Sequence, residues 1–137
     1  MLNYRAIARG FLVDITTTCL FAATLTVVLV DPGSSDFCLA ERVSGTNLID
    51  WLCLLGGLAM TGLGAFVCGR MVPNRELTHA SAVGCFSLLA ALLAGGGVAP
   101  HMDWFTFTGL VLTVPAAQLG GVIAGLYTAW TGAPASE

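Results

Sequence analysis

The segment WLCLLGGLAMTGLGAFVCGRM, residues 51–71, decides the fold class of this chain. It carries no charged residue before Arg70, and its residues are predominantly apolar instead of alternating between apolar and polar. A bilayer core of about 30 Å needs about 20 such residues in one helix, whereas a membrane β-strand would alternate. Three further stretches share this character, at residues 10–30, 80–98 and 104–130. We predict an all-α fold, a single domain over residues 1–137 in which four transmembrane helices form an integral membrane bundle.

The composition of the whole chain points to the same class. Of its 137 residues, 56% are hydrophobic and 9% are charged, and the mean hydropathy is +0.86. A soluble domain carries about 25% charged residues, and a surface with far fewer would not stay dispersed in water. The net charge of −3 also disfavours a nucleic-acid partner. These values exclude most soluble enzymes and nucleic-acid binders and leave the lipid bilayer as the expected surroundings.

The arginines predict the orientation of the bundle. Four of them flank the predicted spans on one side, Arg5, Arg9, Arg70 and Arg75. Arg42 alone lies on the other side, in the long connection at residues 31–50. Because cytoplasmic segments carry an excess of basic residues, we predict that both termini are cytoplasmic and that residues 31–50 form an outer loop.

Small residues recur at intervals of four in the second and fourth spans. The positions expected to pack helices together are Gly57, Thr61, Ala65, Gly69, Ala117, Gly121 and Gly125. Lipid gives apolar helices no hydrophobic reason to associate, so small residues that let backbones approach mark the helix contacts. The spacing does not distinguish contacts within one chain from contacts between chains.

Asp14 is the one acidic residue inside a predicted span, and we place it near the cytoplasmic end of that span. An intramembrane carboxyl group is costly and is by default paired or functional. Because Arg70 and His79 lie on the same predicted side, we expect an intramembrane polar cluster of Asp14, Arg70 and His79. Two interpretations stay open, an ion pair that sets the register of the helices and a proton-relay or ion-binding site.

Further polar residues could extend such a site into a path through the bundle. Thr17 and Thr18 lie on the same face of the first helix as Asp14, and Gln118 could fall at a similar depth in the fourth span. A transport pathway normally contains more acidic or basic residues than this chain offers.

The five cysteines show no C-x-x-C spacing, so the signatures of zinc and dithiol-redox sites are absent. Cys38 and Cys53 lie near the predicted outer side, where they could form a disulfide or link to another subunit. The triplet His101-Met102-Asp103 has no second ligand cluster beside it. We expect neither a metal nor a cofactor.

Three short motifs resemble a group of small four-helix bacterial inner-membrane proteins. They are RGFLVDI at residues 9–15, GAFVCGR at residues 64–70 and HASAVG at residues 79–84, with Pro73 between the last two. The group has G-x-x-V-D in its first helix, A-G-R or A-A-R at the end of the second, and H-A or H-G at the start of the third. The resemblance covers roughly the first two-thirds of the chain. It implies the same fold, topology and bacterial inner-membrane location, and it groups Asp14, Arg70 and His79.

This chain departs from the group in having Cys68 before Gly69 and a longer, acidic outer loop. The group has no established activity to carry over. We therefore expect a non-enzymatic membrane protein that acts through helix–helix contacts, as a homo-oligomer or as an accessory subunit of a larger membrane complex. The alternatives are a small channel or transporter component with a polar path around Asp14, and a membrane thiol-redox protein.

Overall fold

A computed structural model describes residues 2–29, 48–94 and 104–132 of the chain. In these residues the fold is all-α, as predicted, with four helices: α1 Tyr4–Leu29, α2 Leu48–Arg70, α3 Glu76–Ala94 and α4 Trp104–Thr131. Each helix is long and apolar enough to cross a membrane. Of the predicted outer loop 31–50, residues 48–50 belong to α2 and the others lie outside the described residues, as do residues 95–98 of the third predicted span.

The first helix begins at Tyr4, well before the predicted start at residue 10. Asn3 caps it: its Oδ1 accepts a hydrogen bond from the N–H of Ala6 at 3.2 Å, and its carbonyl accepts one from Ile7 at 3.1 Å. An N-cap asparagine satisfies N–H groups that the first helical turn leaves without partners. The apolar window of α1 therefore runs over Tyr4–Leu25.

The helices form an up-and-down bundle around a common axis. α1 packs against α2 and α3, and α4 packs against the same two helices. α2 and α3 also contact each other, so α1 and α4 occupy the two far corners. The start of α1, the end of α2, the start of α3 and the end of α4 meet at one end of the bundle. We call this the arginine end, because Arg5, Arg9, Arg70 and Arg75 lie there.

The buried apolar core lies in the half of the bundle at the arginine end. It consists of small and medium-sized side chains: Ala6, Ile7, Ala65, Cys68, Val72, Ala80, Val83 and Ala117. Side chains of this size let helix backbones approach closely, and such packing is a main source of helix association in lipid.

Glycines make the closest helix contacts in this half. A Cβ atom at Gly64 of α2 would lie 2.6 Å from the carbonyl oxygen of Gly10 on α1. A Cβ atom at Gly120 of α4 would collide with the backbone of Gly62 on α2. Both contacts exist only because these positions have no side chain.

Most of the small residues predicted to pack helices together are buried between helices of the same chain. The positions that are buried are Thr61, Ala65, Gly69, Ala117 and Gly121. Gly125 is half-buried, with the Glu76 side chain 3.8 Å from the position of a Cβ. Gly57 does not pack against a helix, because a Cβ atom there would meet nothing within 4 Å. Within the chain Gly57 lines a cavity instead of a helix contact, and packing of Gly57 between chains stays a prediction.

A tight turn joins α2 to α3 at the arginine end. Asn74 adopts a φ of 68°, in the left-handed region that asparagine tolerates better than most residues with a side chain. Its N–H donates to Oε1 of Glu76, the first residue of α3, at 3.0 Å. This turn holds the end of α2 next to the start of α3.

Aromatic rings join α2 and α4 at the opposite end. The Trp51 ring lies 5.3 Å from that of Phe105 in an edge-to-face arrangement and 6.4 Å from that of Trp104, measured between centroids. Tryptophans at both helix starts are typical of a membrane–water interface.

Candidate functional site

Asp14 is a buried acidic residue in the middle of α1. Its side chain is 3% exposed. It is the eleventh residue of the helix, so it lies about 15 Å from the helix start at a rise of about 1.5 Å per residue. A carboxyl group this deeply buried needs hydrogen-bond partners within the protein.

Two hydroxyl groups supply those partners. Oγ of Ser87 on α3 donates to Oδ2 of Asp14, and Oγ1 of Thr18, one turn along α1, donates to Oδ1 at 3.4 Å. On α2, a Cβ atom at Gly64 would lie 2.7 Å from the Cβ of Asp14. Asp14 is therefore the point at which α1, α2 and α3 meet.

Beside Asp14 lies a cavity of about 470 Å³ that is lined by all four helices. It occupies the half of the bundle away from the arginine end. Its wall on α2 runs from Cys53 to Thr61, and its wall on α4 runs from Phe105 to Thr113. Each wall is about 12 Å long at the helical rise. Asp14 lies at the inner end of this cavity, level with the last residues of both walls.

The cavity is apolar along its walls and polar at its inner end. The residues that make its apolar surface include Ile15, Leu54, Leu58, Ala90, Phe105 and Leu110. At the inner end, the hydroxyl of Thr113 donates to the carbonyl of Gly109 in its own helix at 2.9 Å. Among the described residues that line the cavity, Asp14 is the only acidic one and none is basic.

The predicted cluster of Asp14, Arg70 and His79 is not formed. Arg70 is the last residue of α2, six residues beyond Gly64, and its guanidinium carbon lies 4.7 Å from the centre of the Tyr127 ring. His79 precedes Ser87 by eight residues on α3, which puts it about 12 Å from the level of Asp14. The prediction was wrong because it placed Asp14 near the end of its span.

His79 has a separate structural role. Its ring is 1% exposed, and Nε2 accepts a hydrogen bond from the N–H of Asn3 at 2.9 Å. Nδ1 lies 2.9 Å from the carbonyl oxygen of Arg75, to which it can donate only as the N–H tautomer. His79 thus ties the start of α1 to the first turn of α3.

The predicted polar path is only partly assembled. Thr18 contacts Asp14, but the hydroxyl of Thr17 donates to the carbonyl of Val13 in its own helix at 2.7 Å. Gln118 makes an interhelical hydrogen bond, from Nε2 to Oγ of Ser81 at 3.2 Å, away from the cavity. Neither Thr17 nor Gln118 lines the cavity with Asp14.

The thiols form no redox centre in the described residues. Cys53 is a free thiol that lines the cavity, and Cys19 lines it from α1. Cys38, its predicted disulfide partner, lies outside the described residues. The described part of the chain also contains no group of three or more His, Cys, Asp or Glu residues that could hold a metal ion.

The sequence reasoning missed Ser87 as the partner of Asp14. The sequence spacing indicates that the two residues lie at the same level, because Ser87 is the twelfth residue of α3 and Asp14 the eleventh of α1, and both helices start at the arginine end. This level can be read from the sequence only if the start of α1 is placed correctly, and the N-cap at Asn3 sets that start. No family model matches the chain, and it has no significant match among curated proteins or solved structures. The site is therefore interpreted from its own geometry.

Proposed function

We propose that this chain is a multi-pass membrane protein that carries or conducts a small solute, with Asp14 as the residue that binds it. The observation that supports this proposal is the position of Asp14 at the inner end of a cavity lined by four helices. A hydrogen bond that only joined α1 to α3 would need no cavity beside it. A binding residue needs a polar group and room for a ligand, and both are present.

The proposed location is the bacterial inner membrane, with both termini in the cytoplasm. Four apolar helices of sufficient length support the membrane location. Four arginines at one end of the bundle support the orientation, because basic residues are retained on the cytoplasmic side. The cavity then lies in the outer half of the membrane.

Flux through reconstituted protein tests the proposal. Liposomes containing the wild-type chain are compared with liposomes containing Asp14→Asn, with protons, sodium, potassium and benzyltrimethylammonium as test solutes. We expect flux of at least one solute, reduced about tenfold or more in Asp14→Asn, because the amide keeps the shape of the side chain but not its charge.

The matched control is Asp50→Asn. Asp50 is also 3% exposed, but it lies in the first turn of α2 and does not line the cavity. This variant should keep wild-type flux. Equal flux in wild type and Asp14→Asn, with both proteins folded and monodisperse, would contradict a transport role. Loss of folding or assembly in Asp14→Asn, with no flux from the wild type, would assign Asp14 a structural role.

A role in assembly, as a homo-oligomer or an accessory subunit, is a second candidate. The small-residue stripes give it little support, because they are mostly used within the chain. It is favoured by an apolar groove of about 620 Å³ between α2 and α4, lined by residues such as Leu63, Phe66, Pro115 and Leu119. Native mass measurement after gentle solubilisation tests it: a monomer that co-purifies with no other subunit would contradict this role.

A further inference from the structure

We infer that the cavity beside Asp14 binds a monovalent organic cation that has an apolar body. This inference rests on the proposed function and names the class of solute. The cation would lie against the Asp14 carboxylate, and its apolar body would extend along the walls toward Phe105. The charge of the cavity, its size and the chemistry of its walls lead to this class.

The charge of the lining selects a cation. Asp14 is the only acidic residue among the described residues that line the cavity, and no Arg, Lys or His faces it there. A carboxylate in surroundings of low dielectric constant attracts a positive charge much more strongly than it would in water. An anionic solute would meet repulsion from Asp14 and no compensating basic group among the described lining residues.

The volume of the cavity selects a molecule instead of a single ion. At about 470 Å³ it falls within the range of small-molecule sites, roughly 300–1,000 Å³. A water molecule occupies about 30 Å³ of liquid, so a bare metal ion would leave most of this space unfilled.

The walls also disfavour a metal ion as the ligand. Hard cations such as calcium take about six to eight oxygen ligands. The inner end offers one carboxylate, that of Asp14, with the uncharged hydroxyl groups of Ser87, Thr18 and Thr113 near it, so a divalent ion would keep part of its charge uncompensated. The remaining surface is predominantly aliphatic, with Leu54, Leu58 and others, and fits an apolar body.

Phe105 lines the far end of the cavity. Its side chain is 3% exposed, and its ring packs edge-on against that of Trp51 at 5.3 Å between centroids. This packed pair of rings bounds the cavity and limits how far the body of a ligand can extend from Asp14.

A cysteine already present, Cys53, makes the binding measurable in the full-length protein, because it lines the cavity and is half-buried. A reference thiol is introduced by Pro73→Cys, in the exposed α2–α3 turn outside the cavity. The protein in lipid nanodiscs is alkylated with N-ethylmaleimide, and the rate at each cysteine is measured by peptide mass spectrometry. The thiol at position 73 serves as the reference within the same molecule.

The probe is benzyltrimethylammonium, and its uncharged comparison is neopentylbenzene, in which carbon replaces the nitrogen. We expect the cation to slow alkylation of Cys53 and to leave the rate at position 73 unchanged. In Asp14→Asn the concentration needed for half-protection should rise about tenfold or more, because the charge pair is lost. Neopentylbenzene should protect Cys53 equally in wild type and Asp14→Asn, and less well than the cation does in wild type.

A second pair of variants tests the cavity without changing Asp14. Gly57 lines the cavity and has open space where a Cβ would lie, so the side chain introduced by Gly57→Leu should enter the cavity and abolish protection by the cation. Ala59→Leu places a leucine two residues away, where it faces the groove between α2 and α4 instead of the cavity, and should leave protection unchanged. Folding of each variant is checked by circular dichroism.

The outcomes separate this inference from the proposed function. Protection by the cation that persists in Asp14→Asn, or equal protection by neopentylbenzene in wild type, would show a purely apolar site and overturn the inference. Absence of protection by the cation, with an Asp14-dependent flux of another solute, would overturn the inference and leave the proposed function in place. If the cation gives no protection and no solute shows Asp14-dependent flux, the inference and the proposed function are both overturned.

Discussion

Asp14 is a carboxyl group near mid-helix whose two oxygens each accept a hydrogen bond from a hydroxyl. Both hydroxyls are neutral donors, so they satisfy the carboxyl group without cancelling a negative charge on it. An arginine in the same place would have neutralised that charge and removed the reason for a cation to bind. The absence of a contact with Arg70 is therefore part of what makes Asp14 available to a ligand.

The hydrogen bond from Ser87 should contribute measurably to stability. Ser87→Ala leaves the buried Asp14 side chain with one donor fewer, and the expected loss is about 1–3 kcal/mol of unfolding free energy. Ser81→Ala is the matched control, since it makes the same change on the same helix, where the hydroxyl donates to Leu77 and accepts from the exposed Gln118. Unfolding in detergent by denaturant titration measures both, and equal losses would contradict a special role for Ser87.

His79 should act through Nε2, the atom that accepts from the N–H of Asn3. In His79→Gln the side-chain oxygen can reach the position of Nε2 and keep this bond, whereas His79→Asn is too short and reaches only the level of Nδ1. We expect about tenfold faster hydrogen exchange at the Asn3 amide in His79→Asn and little change in His79→Gln. Equal exchange rates in the two variants would contradict this account.

At the scale of helices, α2 carries glycines with opposite surroundings. Gly62 and Gly64 lie where neighbouring helices touch, and Gly57 faces the cavity. The four-residue spacing that predicted the packing stripe treats all such positions alike. Spacing identifies one face of a helix, but the level at which the bundle opens depends on all four helices together.

Matched glycine substitutions should separate these two environments. Gly120→Ala places a methyl group against the backbone of Gly62 and should cost about 1–3 kcal/mol, because two helices must move apart. Gly57→Ala meets no atom within 4 Å and should be neutral or stabilise by up to about 1 kcal/mol, since alanine is the better helix former. Denaturant titration measures the unfolding free energy of each variant. A similar loss in both would show that Gly57 is packed as tightly as Gly120.

The helices themselves were predictable from the sequence, whereas the contents of the site were not. Long apolar runs determine helix number, and the predicted fourth span, residues 104–130, is nearly the helix Trp104–Thr131. The start of α1 was misplaced because Arg5 and Arg9 suggested an interface, while the N-cap at Asn3 allows the helix to begin earlier. Because the start of α1 was misplaced, Asp14 was predicted to lie closer to the end of its helix than it does. The hydrogen bond between Asp14 and Ser87 also depends on how α1 and α3 are rotated about their axes, and their largely apolar composition does not specify this rotation.

At the scale of the whole molecule, the described helices pack tightly in one half of the bundle and leave a cavity between them in the other half. The buried apolar cluster and the glycine contacts fill the half at the arginine end, and the cavity fills the other half. Asp14 lies at the boundary between the two. Within the described helices the cavity reaches Asp14 from one side, so passage of a solute from Asp14 to the arginine end requires the packed helices to separate.

The orientation of the bundle in the membrane decides which compartment the cavity faces. Cysteine labelling measures this orientation. In a chain whose native cysteines are replaced, Pro73→Cys places a thiol in the exposed α2–α3 turn at the arginine end, and Leu48→Cys places one at the opposite end, where Leu48 is 76% exposed. Because arginines are retained in the cytoplasm, a membrane-impermeant maleimide added to intact cells should label Cys at position 48 and reach position 73 only after permeabilisation. The reverse pattern would mean that the cavity faces the cytoplasm, and labelling of both positions only after permeabilisation would contradict a membrane-spanning bundle.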